Sequence, residues 1–174
     1  SLQQEAAETD LIEAMGEPPP LRYEWREYAY TDGSVLTKKL PDAPNFGAGV
    51  YVPTIREEGR QAHSIPILPH SMENDQNTIN RAELVGILAA LKWGATKILT
   101  DSASSICQIR KHMFKPQYQE IHRHKDLLDD IATRIKEAEG QVFIGKVKSH
   151  IGIVGNERAD EIAVEVAKGR TDPD

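Results

Sequence analysis

Residues 97–113 read KILTDSASSICQIRKHM, and the handover inside this stretch decides the fold class. Lys97 to Thr100 is a short apolar run of strand type, Asp101 follows at once, and a helix is predicted from about Ser102 to Met113. Pro116 breaks that helix, because the residue before a proline avoids helical geometry. A strand that passes directly into a helix, with further strands and helices on either side, belongs to an α/β domain whose helices cover a sheet.

Working outward toward the C-terminus, a helix from about Tyr118 to Ala138 buries Leu128, Ile131, Ile135 and Ala138 along one side, and Gly140 ends it. Gln141 to Lys148 alternates like a strand, and Asn156 to Lys168 forms a last helix with Ala159, Ile162, Ala163, Val166 and Ala167 facing inward. Toward the N-terminus, Asn80 or Thr78 caps a helix in which Leu84, Leu88 and Leu91 recur at helical spacing, with Val85 and Ile87 broadening the stripe up to Gly94. Before residue 76 the pattern is of strand type. From Leu21 the chain carries Tyr23, Trp25, Tyr28 and Tyr30 and stops at the turn pair Asp32-Gly33. GAGVYV (47–52) and the stretch around HSIPIL (63–68) read as two more short strands, the latter held to an edge by Pro53, Pro66 and Pro69. The predicted order is βββαβααβα, a mixed-sheet α/β domain flanked by helices, without internal repeats.

A length of 174 residues with 39% hydrophobic and 28% charged content is that of one globular domain with a real core. Residues 1–20 read as an acidic extension or linker ending in Pro18, Pro19 and Pro20, residues 21–170 as the domain, and 171–174 as a tail. Beginning at Ser1, the chain reads as a piece of something longer. The single cysteine, Cys107, excludes an internal disulfide, reads as a small core side chain and fits a reducing compartment, so a cytoplasmic or nuclear setting is expected. No apolar run reaches the length of a membrane span, and the first residues are acidic rather than those of a signal peptide. A net charge of −6 argues against binding nucleic acid by bulk attraction. Yet Arg110, Lys111, Lys115, Arg123 and Lys125 cluster in the middle with His112, His122 and His124, either as a local basic patch or as a solvated helix face. Zinc binding by His122 and His124 is disfavoured, since alternate helical positions diverge and no cysteine lies nearby.

Four acids stand in four separate stretches: Asp32 in YTDGS, Glu83 in NRAEL, Asp101 in ILTDS and Asp160 in GNERAD. Taken singly, each has an ordinary explanation. Asp32 precedes Gly33 as in a turn, Asn80 and Glu83 have the spacing of a capping box, Asp101 sits where a helix cap belongs, and Asp160 fits a solvent-facing helix position. Taken together they lie at two strand ends and in the first turns of two helices, with His150 just ahead of the last helix. Carboxylates at element ends can converge on one point, and several at one point repel unless a cation neutralises them. The arrangement therefore points to a divalent-metal site and to phosphoryl chemistry.

The blocks YTDGS, GAGV, TINRAEL, ILTDSASS and SHIGIVGNERADEIA, spread from about Tyr28 to Ala167, resemble the ribonuclease H type 1 family. Within it the wording of KSHIGIVGNERADEIA is most similar to the ribonuclease H domains of non-LTR (LINE-type) retrotransposon reverse transcriptases. The resemblance implies an RNase H-like fold with a five-stranded mixed sheet and helices on both faces. It implies that Asp32 is the central bridging metal ligand, that Glu83, Asp101 and Asp160 complete the ligand set, and that His150 is a mobile auxiliary residue for proton movement or product departure. The implied activity is endonucleolytic hydrolysis of the RNA strand of RNA/DNA hybrids, leaving 5′-phosphate and 3′-hydroxyl ends. The implied cofactor is a pair of Mg²⁺ ions, with Mn²⁺ as substitute. Two such ions activate water, hold the departing oxygen and neutralise the phosphorane, and carboxylates are the hard ligands they prefer. The partners implied are the hybrid and a covalently linked reverse transcriptase domain, with the isolated domain monomeric and no membrane involved.

Selecting RNA requires contacts to 2′-hydroxyls, for which Asn80, Glu83 and the backbone amides near Gly33 and Ser34 are the candidates. Lys111 and Arg123 are the candidates for backbone phosphate, standing in for the basic protrusion of some family members, since only about Phe114 to Gln119 separates the two central helices. The chain departs from the family pattern at Ile79, where many members carry a polar residue, and at Ile106 and Cys107, where several carry polar residues against the DNA strand. A catalytically silent docking or spacer domain of the same fold is the rival reading, which the retention of four acids and His150 disfavours.

Overall fold

The computed structural model describes residues 14–16, 28–53, 64–66, 79–115, 117, 123–139 and 141–170. Among them the elements run β1 (Ala14–Met15), β2 (Ala29–Val35), β3 (Phe46–Tyr51), β4 (Ser64–Pro66), α1 (Ile79–Lys92), β5 (Lys97–Thr100), α2 (Ala103–Phe114), α3 (Lys125–Glu137), β6 (Phe143–Lys146) and α4 (Val154–Ala167). The strands form one mixed sheet in the order β1-β6-β5-β2-β3-β4. β2, β3 and β4 make an antiparallel meander, whereas β2 pairs parallel with β5 and β5 parallel with β6.

From β2 onward the order is the predicted βββαβααβα, and the sheet is the expected mixed one with flanking helices. It carries six strands rather than five, because Ala14–Met15 adds antiparallel to β6, opposite Gly145 and Ile144. Two residues are too few to show a hydrophobic period, so nothing in the acidic N-terminal stretch announced them. Met15 is nonetheless buried, and Gly16 turns the chain away at a φ of +85°. The aromatic run with Tyr23 and Trp25, the proline triplet Pro18 to Pro20 and the tail 171–174 lie outside the described residues.

Asp32-Gly33 is not a turn. β2 runs through both residues to Val35, and the hairpin closes later, through residues 36–45. There Asn45, at a φ of +65°, accepts from the Leu40 amide at 2.7 Å and donates to the Leu40 and Ala43 carbonyls. Gly33 is needed for close approach instead of a bend. A Cβ there would lie 2.5 Å from the Ala82 carbonyl carbon and 2.6 Å from the Ala82 Cβ, so α1 rests directly on β2. Gly47 and Gly49 do the same for α4, where a Cβ would meet the Ala163 and Ala159 carbonyls at 2.7 and 2.6 Å. In register Asp32 pairs with Gly49 and Gly33 with Ala48. Because neighbouring strand residues face opposite ways, α1 and α4 cover opposite faces of the sheet.

Helix limits shift in ways that matter for the acids. α1 begins at Ile79, so Asn80 lies inside it and is not its cap, and Glu83 opens the second turn rather than closing a capping box; position 78 lies outside the described residues. Asp101 does not cap α2. Ser102 does, its Oγ accepting from the Ser105 amide at 3.1 Å, as the shorter hydroxyl suits that position. α3 starts at Lys125, after a turn at Arg123 and His124; residues 116 and 118–122, where the expected helix start and short connection fall, lie outside the described residues. α4 starts at Val154, two residues early, which places Asp160 in its second turn.

The predicted core positions line the core, with Val85, Ala138 and Ile162 only half-buried against it. Leu84, Ile87, Ile98, Leu128 and Ile131 are fully buried, and Ile106 joins them. Arg81 is buried as well, and donates to both carboxylate oxygens of Asp126 at 3.1 and 2.6 Å, which ties α1 to the start of α3. No helix among the described residues is long and apolar enough to cross a membrane.

Candidate metal centre

Three of the four acids meet where β2, α1 and β5 converge. Asp32, Glu83 and Asp101 each offer a carboxylate oxygen within 4.8 Å of the others. β2 delivers Asp32 in mid-strand, β5 delivers Asp101 one residue past its end, and α1 delivers Glu83 because Gly33 lets the helix touch the strand. Asp160, from α4 on the opposite face, reaches the group through a side-chain hydrogen bond to Asp32. All four predicted acids are thus brought together, from four elements.

Crowding and burial determine their electrostatics. Asp32 is 5% exposed and its carboxyl is pushed up to about 8, first by loss of water, with the charges of Asp101 and Asp160 adding to it. Glu83 is held well above the ordinary carboxylate range by burial and then by the Asp32 charge. Asp101, half-buried, is raised by burial and by Asp160, against the opposing effects of an Asn156 hydrogen bond and of the His150 and Lys146 charges. The Gly33 N–H donates to Asp32 Oδ1 at 2.9 Å and also serves Glu83. One Glu83 oxygen, Oε2, is buried without any hydrogen-bond partner. A buried carboxyl oxygen left unmet amid three other acids is costly as it stands, and a divalent cation is the group that would satisfy it. The donor set, all hard carboxylate oxygen, fits Mg²⁺ or Mn²⁺ and not a soft metal.

His150 lies on the exposed turn before α4 at a φ of +58°, in the left-handed region that side chains with a Cβ avoid. It is near enough to Asp101 to act on its charge. Of the predicted substrate contacts, Ser34 and Asn80 are half-buried near the acids in sequence, whereas Gly33 is enclosed between β2 and α1 with its amide turned to the carboxylates. Ile79 is 47% exposed at the start of α1. Lys111 and Arg123 are exposed on α2 and in the turn before α3, together with Arg110 and Lys115. The histidines predicted to accompany them are not surface groups. His112 is buried against Asp129, with Nε2 2.8 Å from Oδ1, and His124 is buried against Arg81; His122 lies outside the described residues. Their aromatic bulk fills the seam between helices. Ile106 has no surface to offer a DNA strand, and Cys107 is half-buried rather than part of the core.

Two residues at the centre escaped the sequence reading, Asn156 and Lys146. Asn156 stands four residues before Asp160, hence on the same helix face, and that spacing was the available signal. Lys146 is the register partner of Thr100, next to Asp101, a relation visible only once β5 and β6 are paired.

A family model described as RNase H matches residues 25–168. No curated protein matches the chain. Among solved structures the chain is similar to a foamy viral protease-reverse transcriptase in complex with double-stranded DNA, with 17% identity, a TM-score of 0.57, and coverage of 80% of this chain and 92% of that one. It is also similar to native prototype foamy virus protease-reverse transcriptase, with 19% identity, a TM-score of 0.52 and coverage of 80% of this chain. In the latter case it spans 20% of the longer chain. At these identities the likeness is one of fold.

Proposed function

From the premise that this chain belongs to the RNase H family, we propose that it is an endonuclease hydrolysing the RNA strand of RNA/DNA hybrids to 5′-phosphate and 3′-hydroxyl ends. The observation that carries this reading is the meeting of Asp32, Glu83 and Asp101, with Asp160 bonded to Asp32, around a Glu83 oxygen that lacks a partner.

Asp32, Glu83, Asp101 and Asp160 would hold two Mg²⁺ ions, or Mn²⁺ in their place, and such cations supply the Lewis acidity that phosphodiester hydrolysis by water requires. The chain's own residues do the positioning. Gly33 holds the Asp32 and Glu83 carboxylates through its amide, and the carboxylates, once deprotonated, concentrate the negative charge that draws the cations in. Asn80 and Ser34, half-buried beside the acids, supply hydrogen-bonding groups for 2′-hydroxyls. Exposed Lys111 and Arg123 meet backbone phosphate. His150, on an exposed turn close to Asp101, accepts and releases a proton as products depart.

We infer further that the domain works as one module of a retroelement polyprotein, attached to a reverse transcriptase and acting in cytoplasm or nucleus. The wording of KSHIGIVGNERADEIA and the fold shared with a protease-reverse transcriptase of foamy virus support this.

One assay tests the activity. Labelled RNA/DNA hybrid, single-stranded RNA and duplex DNA are incubated with Mg²⁺ or Mn²⁺, with Asp101→Asn as control. Cutting confined to the hybrid and lost in the variant is the expected result. Equal cutting of all three, equal activity in the variant, or hybrid binding without any cleavage would overturn it.

A further inference from the structure

We propose that Asn156 is a positioning residue of the metal centre, whose buried carboxamide orients the Asp101 carboxylate and acts on a bound cation only through Asp101. The inference rests on the reading of the four acids as a cation site.

Asp101 is the acid whose side chain the local backbone does least to fix. Asp32 lies within a paired strand and Glu83 within a helix, and the Gly33 amide bonds both. Asp101 has left β5 and has not entered α2. The residues beside it are secured, since the Ser102 amide donates to Thr100 Oγ1 at 3.0 Å and the Ser102 hydroxyl caps α2. Its own carboxylate receives the side chain of Asn156.

Asn156 is placed for this by a rigid mount. It is 3% exposed and is the third residue of α4. Gly155, just before it, is pressed so closely on β2 that a Cβ would fall 2.3 Å from the Tyr30 ring. The first turn of α4 is therefore set against the strand that carries Asp32. One turn further on, the same helix face presents Asp160, which bonds Asp32. A single helix thus supplies one acid to the cluster and one neutral donor to another acid.

Neutrality is the chemical point. A lysine or arginine at this position would hold Asp101 too, but its charge would oppose a divalent cation held by Asp101. A carboxamide donates one N–H, leaves the other carboxylate lone pairs to the cation, and keeps its state at every pH. Outer groups of this kind fix ligand geometry and affinity in metal sites.

The test is a double-mutant cycle on Mn²⁺ binding, followed by calorimetry and by the Mn²⁺ paramagnetic signal, with wild type, Asn156→Ala, Asp101→Asn and the double variant. Asn156→Ala is expected to weaken Mn²⁺ binding about tenfold or more, and to have no further effect, within about threefold, once Asp101 is Asn. Should Asn156→Ala lose its helical signal, Asn156→Ser, suited to a first helical turn, carries the same comparison. Wild-type affinity in both Asn156 variants, or effects that simply add in the double variant, would overturn the assignment. A wild-type protein that binds Mn²⁺ with the expected cycle yet cuts no hybrid would overturn the proposed activity and leave the role of Asn156 standing.

Discussion

A Cβ placed on Gly33 would sit 2.5 Å from the Glu83 amide nitrogen, so strand and helix touch at the point where each presents an acid. Gly33→Ala must therefore push α1 off β2 or strain both. The expected cost is about 1–3 kcal/mol of stability, typical of overpacking against backbone that cannot yield. Because Glu83 moves with α1, Mn²⁺ affinity should fall as well. Denaturant unfolding with calorimetric metal titration checks both, and an unchanged metal affinity would separate the helix contact from the site.

The raised carboxyls make stability depend on pH in a stated direction. Asp32 has an ordinary value of 3.8 and is pushed up to about 8 in the folded protein, first by burial, and Glu83 is also held well above its usual range. The folded state then binds more protons than the unfolded one between those limits. Without divalent ions, stability is highest at or below about pH 4 as far as these groups are concerned, and it declines as pH rises toward 8, by on the order of a few kcal/mol. Added Mg²⁺ should reverse the decline, so the rise in melting temperature it produces is larger at pH 8 than at pH 5.5. Asp32→Asn removes the part of the slope that Asp32 contributes and leaves the part that Glu83 owes to its own burial. Melting scans in chelator and in Mg²⁺ across this range decide it.

What was legible in the sequence followed from periodicity and spacing. Leu84, Ile87, Leu128 and Ile131 are buried as their helical recurrence required, and the four acids meet although they come from positions 32, 83, 101 and 160. Contact-dependent features were not legible. Gly33 beside an aspartate has the composition of a turn, and only the packing of α1 shows that it spares room for a helix. Asn80 and Asp101 have the types of helix caps, yet α1 begins before the one and Ser102 serves in place of the other. His112 and His124 sit among basic residues along the chain but turn inward, one to Asp129 of α3 and one to Arg81 of α1, partners that only the packing of the helices brings near. β1 is two residues long and below what any pattern can register.

The basic surface that remains is consequently narrower. Lys125 is 2.6 Å from Asp129, an i,i+4 pair that offsets its charge, and Lys111 and Arg123 are exposed on α2 and in the turn before α3. Replacing Lys111 and Arg123 together by Gln should weaken hybrid binding and lower the slope of log affinity against log salt by about 1–2, since each phosphate contact contributes a little under one. Lys125→Gln, one position rather than two, should change that slope less. Filter binding across a salt series, in chelator to prevent cleavage, measures it, and a slope unmoved by the double replacement would remove these residues from the interface.

His150 allows backbone strain and function to be separated at one residue. Its φ of +58° is unfavourable for any residue with a Cβ, and such a conformation costs on the order of 1–3 kcal/mol. Glycine adopts it freely, but glycine also makes the unfolded chain more mobile, which takes back part of the gain. His150→Gly should therefore be more stable than wild type by up to about 1 kcal/mol, while His150→Ala keeps the strain and gains nothing. Both lack the imidazole. If His150 moves a proton as products leave and stands outside the proposed ligand set, both should turn over the hybrid more slowly, with Mn²⁺ affinity close to wild type. Stability and turnover then change in opposite directions in the glycine variant. A glycine variant that is stabilised and fully active would mean that the turn tolerates strain without using the ring, and one that is less stable would mean that the imidazole itself holds the turn ahead of α4.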